Sequence, residues 1–225
     1  MGKTLEKRTW FTARQKKFLE LVSQDKSFRT KFYLTGGTAL SAVYFNHRES
    51  LDLDFFTPGE FSIGEIGNLV ASTRQALGWI GISRDIKYPA NTFLLKWEDR
   101  SNLKLDFNYY AFKQLKKGPK VFGLSVDSLE DLAANKLDTI LTRRQARDYI
   151  DLYTIIKKSK LTLKRIINLH FKKFEMKVGY LAIAKSLLLA GEAEDYPLMR
   201  VKFNRKEMIT FFENEAGKLK PLIFT

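Results

Sequence analysis

The stretch Phe32 to Phe56, FYLTGGTALSAVYFNHRESLDLDFF, constrains the fold of this chain more than any other. Phe32 to Thr35 is apolar and β-prone and reads as a short strand. Gly36-Gly37 breaks it, and Thr38 to Phe45 (TALSAVYF) reads as a helix starting near Thr38. His47-Arg48-Glu49-Ser50 reads as a polar turn, with His47 at the solvent. Leu51 to Phe56 then alternates leucine and aspartate with the period of a strand. That period places Asp52 and Asp54 on one face, with their carboxylates close together.

Two like charges side by side repel. A cation between them removes that cost, and Mg²⁺ prefers hard carboxylate oxygens. The Gly-Gly turn ahead of a helix offers bare backbone N–H groups and a positive dipole end, which suit a phosphate. Each feature also has a purely structural reading: a tight turn for the glycines, a solvated face for the aspartates. Found in this order on one short unit, they point to phosphoryl or nucleotidyl transfer.

A chain of 225 residues fits one large domain or two small ones. It has no cysteine, which excludes disulfides and thiolate metal sites. No segment is long and apolar enough to span a membrane, and the N-terminus lacks a signal-peptide core, so a cytoplasmic protein is expected. The formal charge is +14, with Lys and Arg spread along the chain. Such a field attracts a polyanion, nucleic acid above all.

Met1 to Lys31 is expected to be mostly one amphipathic helix, with Phe11, Phe18, Leu21, Val22 and Phe28 as its apolar members. Ser62 to Leu77 reads as a second helix and Ile80 to Tyr88 as a strand. Thr92 to Trp97 and Leu103 to Tyr110 are stronger strands joined by a hairpin turn at 98–102. In the last of these, Leu103, Leu105, Phe107 and Tyr109 face one way; Lys104, Asp106, Asn108 and Tyr110 face the other. Asp106 is therefore a third candidate carboxylate. Beside Leu51 to Phe56 it would join Asp52 and Asp54 around two ions. The alternative is an aspartate paired with Lys104 on a wet strand face.

Lys113 to Lys120 is basic, carries Gly118-Pro119 and reads as a boundary region; Val121-Phe122 adds a last strand. Helical character begins at Asp127, which with Glu130 resembles a capping box. Leu129, Leu132, Ala133, Leu137 and Ile140 form a stripe that includes Lys136. A lysine there snorkels outward or meets an anion. Lys136→Met, which keeps the stem and loses the charge, is expected to fold at least as well as the wild type. Arg143 and Arg144 suit the negative end of that helix. In RDYIDLY, Asp148 and Asp151 are i,i+3 neighbours on an otherwise apolar helix. Three more helices follow, at Leu161 to Met176, Tyr180 to Ala190 and Lys206 to Leu219. His170, on the first of these, reads as structural.

Gly-Gly, a helix and Asp-x-Asp on a strand resemble the nucleotidyltransferase superfamily of DNA polymerase β. The string GGTALSAVYFNHRESLDLDFF is similar to the AbiEii/AbiGii toxin family, and KLDTILTRRQARDYIDLY resembles that family's second signature. The likeness spans roughly Phe32 to Tyr153. It implies an α/β fold: a nucleotidyltransferase domain over 1–124 with a small mixed β-sheet flanked by helices, then a helical domain over 125–225. It implies transfer of a nucleoside monophosphate from a triphosphate to an acceptor, with release of pyrophosphate. Asp52, Asp54 and Asp106 would hold two Mg²⁺ ions, for which Mn²⁺ could substitute. Gly36, Gly37 and Thr38 would cradle phosphates. Lys136, Arg48 and Arg143 would neutralise the triphosphate. Asp148 would orient Lys136 or contact the nucleotide, with Asp151 beside it.

The superfamily typically has Gly-Ser where this chain has Gly36-Gly37, so Thr38 would have to supply the hydroxyl. The resemblance further implies an abortive-infection toxin active in phage defence, a cognate antitoxin encoded nearby, and tRNA as acceptor. Two other readings stay open: a nucleic-acid-binding protein with a vestigial site, and a transferase acting on a protein or small molecule.

Overall fold

The computed structural model describes residues 9–87 and 90–223. The chain forms two compact units. One holds the chain up to Tyr44, Ser50–Lys113 and Lys117–Ser128; the other holds Phe45–Glu49, Gln114–Lys116 and the chain from Leu129 onward.

The first unit is built on one mixed sheet. Its strands are β1 (Tyr33–Thr35), β2 (Leu53–Thr57), β3 (Gly81–Lys87), β4 (Ala90–Lys96), β5 (Asn102–Tyr109), β6 (Lys117–Val121) and β7 (Leu124–Asp127), in the spatial order β3-β4-β5-β2-β1-β7-β6. β2 runs parallel to β5, and β1 parallel to β7; the other neighbours are antiparallel. Alternation decides the two faces. Leu53 and Phe55 of β2, Leu105 and Phe107 of β5, and Phe93 and Leu95 of β4 are fully buried. Phe55 stacks on Phe107 at 5.1 Å, and Phe28 of helix α2 (Lys26–Lys31) meets Phe55 edge-on at 5.2 Å. Phe18 of α1 (Ala13–Val22) reaches the same ring. Each such ring contributes about 1.5–3 kcal/mol by leaving water. The opposite face of β2 and β5 carries Asp54 and Asp106.

Several sequence boundaries shift for local reasons. The N-terminal helix breaks at Asp25, whose carboxylate accepts from Phe28 N at 2.8 Å and so caps a separate α2. Residues 1–8 of that expected helix, and Tyr88 of the expected third strand, lie outside the described residues. The helix after β1 starts at Gly36 as α3 (Gly36–Ala39) and widens into a π-helical turn over Leu40–Phe45. The expected second helix divides at Thr73 into α4 (Ile63–Ser72) and α5 (Arg74–Leu77). β2 begins at Leu53, not Leu51. Its register with β1 ends at Thr35↔Asp54, so Leu51 and Asp52 have no residue of β1 opposite them, and Leu51 is 56% exposed.

Much of the expected boundary region is sheet. Lys117–Val121 forms the edge strand β6, where Pro119 is tolerated. Gly118 is required there, because a Cβ would stand 2.1 Å from Val126 O. Asp127 ends β7 and accepts from Thr35 Oγ1 at 2.5 Å, so it is a strand residue. The first unit accordingly runs to Ser128, past the expected division at 124/125.

The second unit is helical: α6 (Leu129–Thr142), α7 (Ala146–Lys158), α8 (Leu163–Phe174), α9 (Tyr180–Leu188) and α10 (Arg205–Leu219). Leu137, Ile150, Ile166, Ile183 and Phe212 lie in its core. Tyr149 packs edge-on against Phe212 and donates its hydroxyl to Ser186 O at 2.9 Å. The short piece Phe45–Glu49 is stitched to the 198–200 segment: Glu49 N donates to Leu198 O and Arg200 N to His47 O. No helix among the described residues is long and apolar enough to cross a membrane.

Candidate functional site

The sequence-predicted residues fall into two constellations, one in each unit. In the first, parallel pairing puts Asp54 directly opposite Asp106. With the same period on both strands, their side chains share a face. Gly36 makes room for this. Its φ is +74°, and a Cβ there would lie 2.0 Å from Asp54 Oδ2. The glycine is thus needed both for its backbone conformation and for the approach of the carboxylate. Asp52 stands just ahead of β2. Thr38 Oγ1 lies 2.8 Å from Ser50 Oγ and donates to Asp52 O, so the start of α3 holds the chain that carries Asp52. Thr38 is fully buried, and its hydroxyl braces this turn.

Asp106 has a partner at each oxygen. Thr92, its cross-strand neighbour on β4, donates to Oδ1 at 2.5 Å, and Lys104 Nζ donates to Oδ2 at 2.5 Å. Lys104 Nζ also lies 3.8 Å from Asp52 Oδ2. Burial disfavours the ammonium, but the hydrogen bond to Asp106 and the charges of Asp106, Asp52 and Asp54 outweigh it and raise the Lys104 pKa above its ordinary value. One cation thus feels all three carboxylates. Their donor chemistry suits a hard divalent ion. As placed, however, no three acidic or histidine side chains among the described residues form a ready-made metal cage. Metal ligation and the Lys104 pair are the two alternatives for Asp106; the ion pair is present, and it is centred on the same oxygens.

A Gly36→Ala variant tests this geometry. The left-handed backbone costs an alanine about 1–2 kcal/mol. The added methyl must also displace the Asp54 carboxylate. We expect a lowered melting temperature, and a loss of transfer on the order of a hundredfold from misplacing that carboxylate.

In the second unit, Lys136 on α6 neither snorkels nor stands open. It is 6% exposed, and its Nζ lies 2.8 Å from Asp148 Oδ1 and 2.7 Å from Asp151 Oδ2. Both aspartates point inward from α7. Arg48 grips Asp151 through both oxygens at 2.7 Å, Nε to Oδ1 and Nη2 to Oδ2. His47 Nε2 lies 2.7 Å from Asp151 Oδ1. Arg143 donates to Asp148 from Nε at 2.8 Å, and its side chain is 45% exposed. His47, expected at the solvent, is wholly buried, because the turn that carries it is drawn down by Asp151. His170 is buried too, 3.0 Å from Asp138 Oδ1.

Burial alone would raise both aspartate pKa values. Lys136 and Arg143 outweigh it for Asp148 and hold that carboxyl below its ordinary value; Lys136, Arg48 and His47 hold Asp151 well below the carboxylate range. His47 is pushed below 6.5, chiefly by burial, with Arg48 and Lys136 adding to the effect against Asp151. The neutral ring can donate from Nε2, leaving Nδ1 with no hydrogen-bond partner among the described residues.

The pH dependence follows. The unfolded chain protonates His47 near about 6.5, while the folded chain resists it. That contribution is complete above this pH and is lost as pH falls toward the lower folded value. The two aspartates act in the same sense further down: their contribution holds above about 3.9 and fades as pH falls toward their depressed values. Thermal melts from pH 7 to 5 should therefore show a falling melting temperature, and His47→Gln should flatten that fall. An equally steep fall in the variant would exclude His47 as its cause.

Of these residues, the sequence missed two contributors. Thr92 and Ser50 carry no signal beyond a polar residue in a strand or turn. Lys104 was legible only through its i,i+2 spacing from Asp106.

The profile of the family described as "Nucleotidyl transferase AbiEii toxin, Type IV TA system" matches residues 18–216. An uncharacterized protein of Aquifex aeolicus, aq_aa25, is 29% identical over 192 residues, covering 82% of this chain and 86% of that protein. The solved structure of a provisionally assigned nucleotidyltransferase from H. pylori is similar in fold, with a TM-score of 0.62 at 17% identity and 93% of each chain covered. JHP933 from Helicobacter pylori gives a TM-score of 0.59 at 18% identity, covering 93% of this chain and 90% of that one.

Proposed function

Because this chain belongs to the AbiEii nucleotidyl transferase family of type IV toxin–antitoxin systems, and is thus a nucleotidyltransferase, we propose that it is a Mg²⁺-dependent toxin that transfers a nucleoside monophosphate to an RNA 3′ end, with tRNA as acceptor. The observation that carries this reading is that Asp106 and Asp52 meet at one ammonium, with Asp54 directly opposite Asp106 in the strand register. A face that sets two carboxylates on one positive charge and a third directly opposite is suited to divalent ions. Bound there, such ions would supply charge for the triphosphate and acidify the attacking hydroxyl.

The chain's own residues take the remaining roles. Asp52 and Asp54 would hold the ions, Asp54 seated against Gly36 and Asp52 carried on the segment braced by Thr38. Asp106, oriented by Thr92, would join them and accept the proton of the attacking hydroxyl as it closes on the α-phosphorus and pyrophosphate departs. The backbone at Gly36 and Gly37 would approach the distal phosphates, with Thr38 shaping that turn. Arg143 is the most exposed cation of the second constellation, and the family's second signature makes it a candidate to neutralise the triphosphate. Arg48 and Lys136, held by Asp151 and Asp148, would contribute their charge from buried positions.

The formal charge of +14 favours nucleic acid as acceptor. By family, the antitoxin is the partner expected in the cytoplasm, with abortive infection as the biological setting. The test is incubation with each labelled nucleoside triphosphate and total tRNA, with Mg²⁺, with Mn²⁺ and with EDTA. Label should appear in RNA with either metal and not in EDTA. Transfer that persists in EDTA would overturn the metal reading; label in protein or small molecules alone would overturn the RNA acceptor.

A further inference from the structure

The carboxylates proposed as metal ligands already hold a cation that belongs to the chain. We propose that Lys104 is a resident counter-ion of this face, which an incoming divalent cation must displace, so that Lys104 sets how weakly the resting protein binds the free ion. The inference rests on the metal reading above and adds a residue to it.

Geometry carries the argument. Lys104 and Asp106 are two apart on β5, so they share a face, and β5 lies beside β2, which carries Asp54 directly opposite Asp106. The Lys104 ammonium bonds Asp106 Oδ2 and stands 3.8 Å from Asp52 Oδ2. A purely local strand pair would need Asp106 alone; here the same nitrogen also faces a carboxylate from another segment. The two partners of Asp106 differ in how easily they can leave. Thr92 is its register neighbour on β4, with a short side chain fixed by the strand pairing. Lys104 is on a flexible stem, with a side chain 39% exposed, and can swing into solvent.

With Lys104 in place, Asp106 and Asp52 are partly neutralised without any ion. A divalent cation that takes up Asp106 Oδ2 must break that ion pair and bring a second positive charge toward the ammonium. Both effects weaken binding of the free ion. Removing Lys104 should reverse both.

Lys104→Met keeps the stem and removes the charge. Free Mn²⁺ binding can be followed by titration with electron paramagnetic resonance, alongside melting temperatures with and without the ion. We expect Lys104→Met to bind Mn²⁺ at least about tenfold more tightly than the wild type, corresponding to roughly 1.4 kcal/mol. We also expect it to melt lower in EDTA and to gain more from Mn²⁺. Equal or weaker Mn²⁺ affinity in a folded Lys104→Met would overturn the proposal while leaving the metal reading intact. Binding to neither protein would overturn both. Lys104→Gln gives a second, polar neutral variant. If the methionine protein does not fold, the glutamine protein decides by the same criteria.

Discussion

Asp54→Asn and Asp52→Asn are each expected to lower nucleotidyl transfer by at least about a hundredfold, some 3 kcal/mol of lost transition-state stabilisation, with little change in melting temperature. Asparagine has nearly the shape of aspartate, and Asp54 is half-buried against Gly36. What the substitution removes is charge, and a neutral amide is a poor ligand for a hard divalent cation. The side chain of Asp52 is 39% exposed, so its replacement leaves no buried charge uncompensated. Single-turnover transfer over a range of Mg²⁺ concentrations, paired with thermal melts, checks both halves. Near-normal transfer by either folded variant would remove that carboxylate from the metal set.

Lys136→Met is expected to fail differently. Judged by the helical stripe alone, methionine should be tolerated. In the structure Lys136 is bonded to two fully buried carboxylates, and deleting one member of a buried charge cluster costs about 3–5 kcal/mol. Asp148 keeps Arg143 and Asp151 keeps Arg48, which places the loss toward the lower end. We expect a clear fall in melting temperature together with a loss of transfer on the order of a hundredfold measured well below the melt. Lys136→Arg should recover only part of either, since a planar fork does not fit the place of a compact ammonium between two carboxylates. A Lys136→Met protein as stable as the wild type would show that Asp148 and Asp151 are adequately held without it. Retained transfer in a folded, destabilised variant would confine Lys136 to a structural role.

What could be read in the chain itself was whatever depends on near neighbours. Period-two alternation in LDLDFF and LKLDFNYY put Asp54 and Asp106 opposite the apolar residues, because a pleated strand turns successive side chains to opposite faces. The break at Gly36-Gly37 followed from backbone conformation, and the helices of the second unit from apolar spacing. The family resemblance rested on such local strings.

Tertiary structure decided what depends on residues distant in sequence. That Asp54 faces Asp106 is a matter of strand order, which placed β5 beside β2 across the intervening helices and hairpin. That His47 is buried, and that Arg48 and Lys136 share Asp151, came from pairings across 104, 103 and 15 residues, where a polar turn and an apolar stripe each looked complete alone. Asp127 looked like a helix cap because helix starts favour aspartate; its place in the sheet was set by β1, 92 residues earlier in the chain at Thr35. Local pattern specifies which face a charge occupies. Only the assembled fold specifies which opposite charge it meets there, and that second choice determines whether a lysine is solvated, structural or the occupant of a carboxylate site.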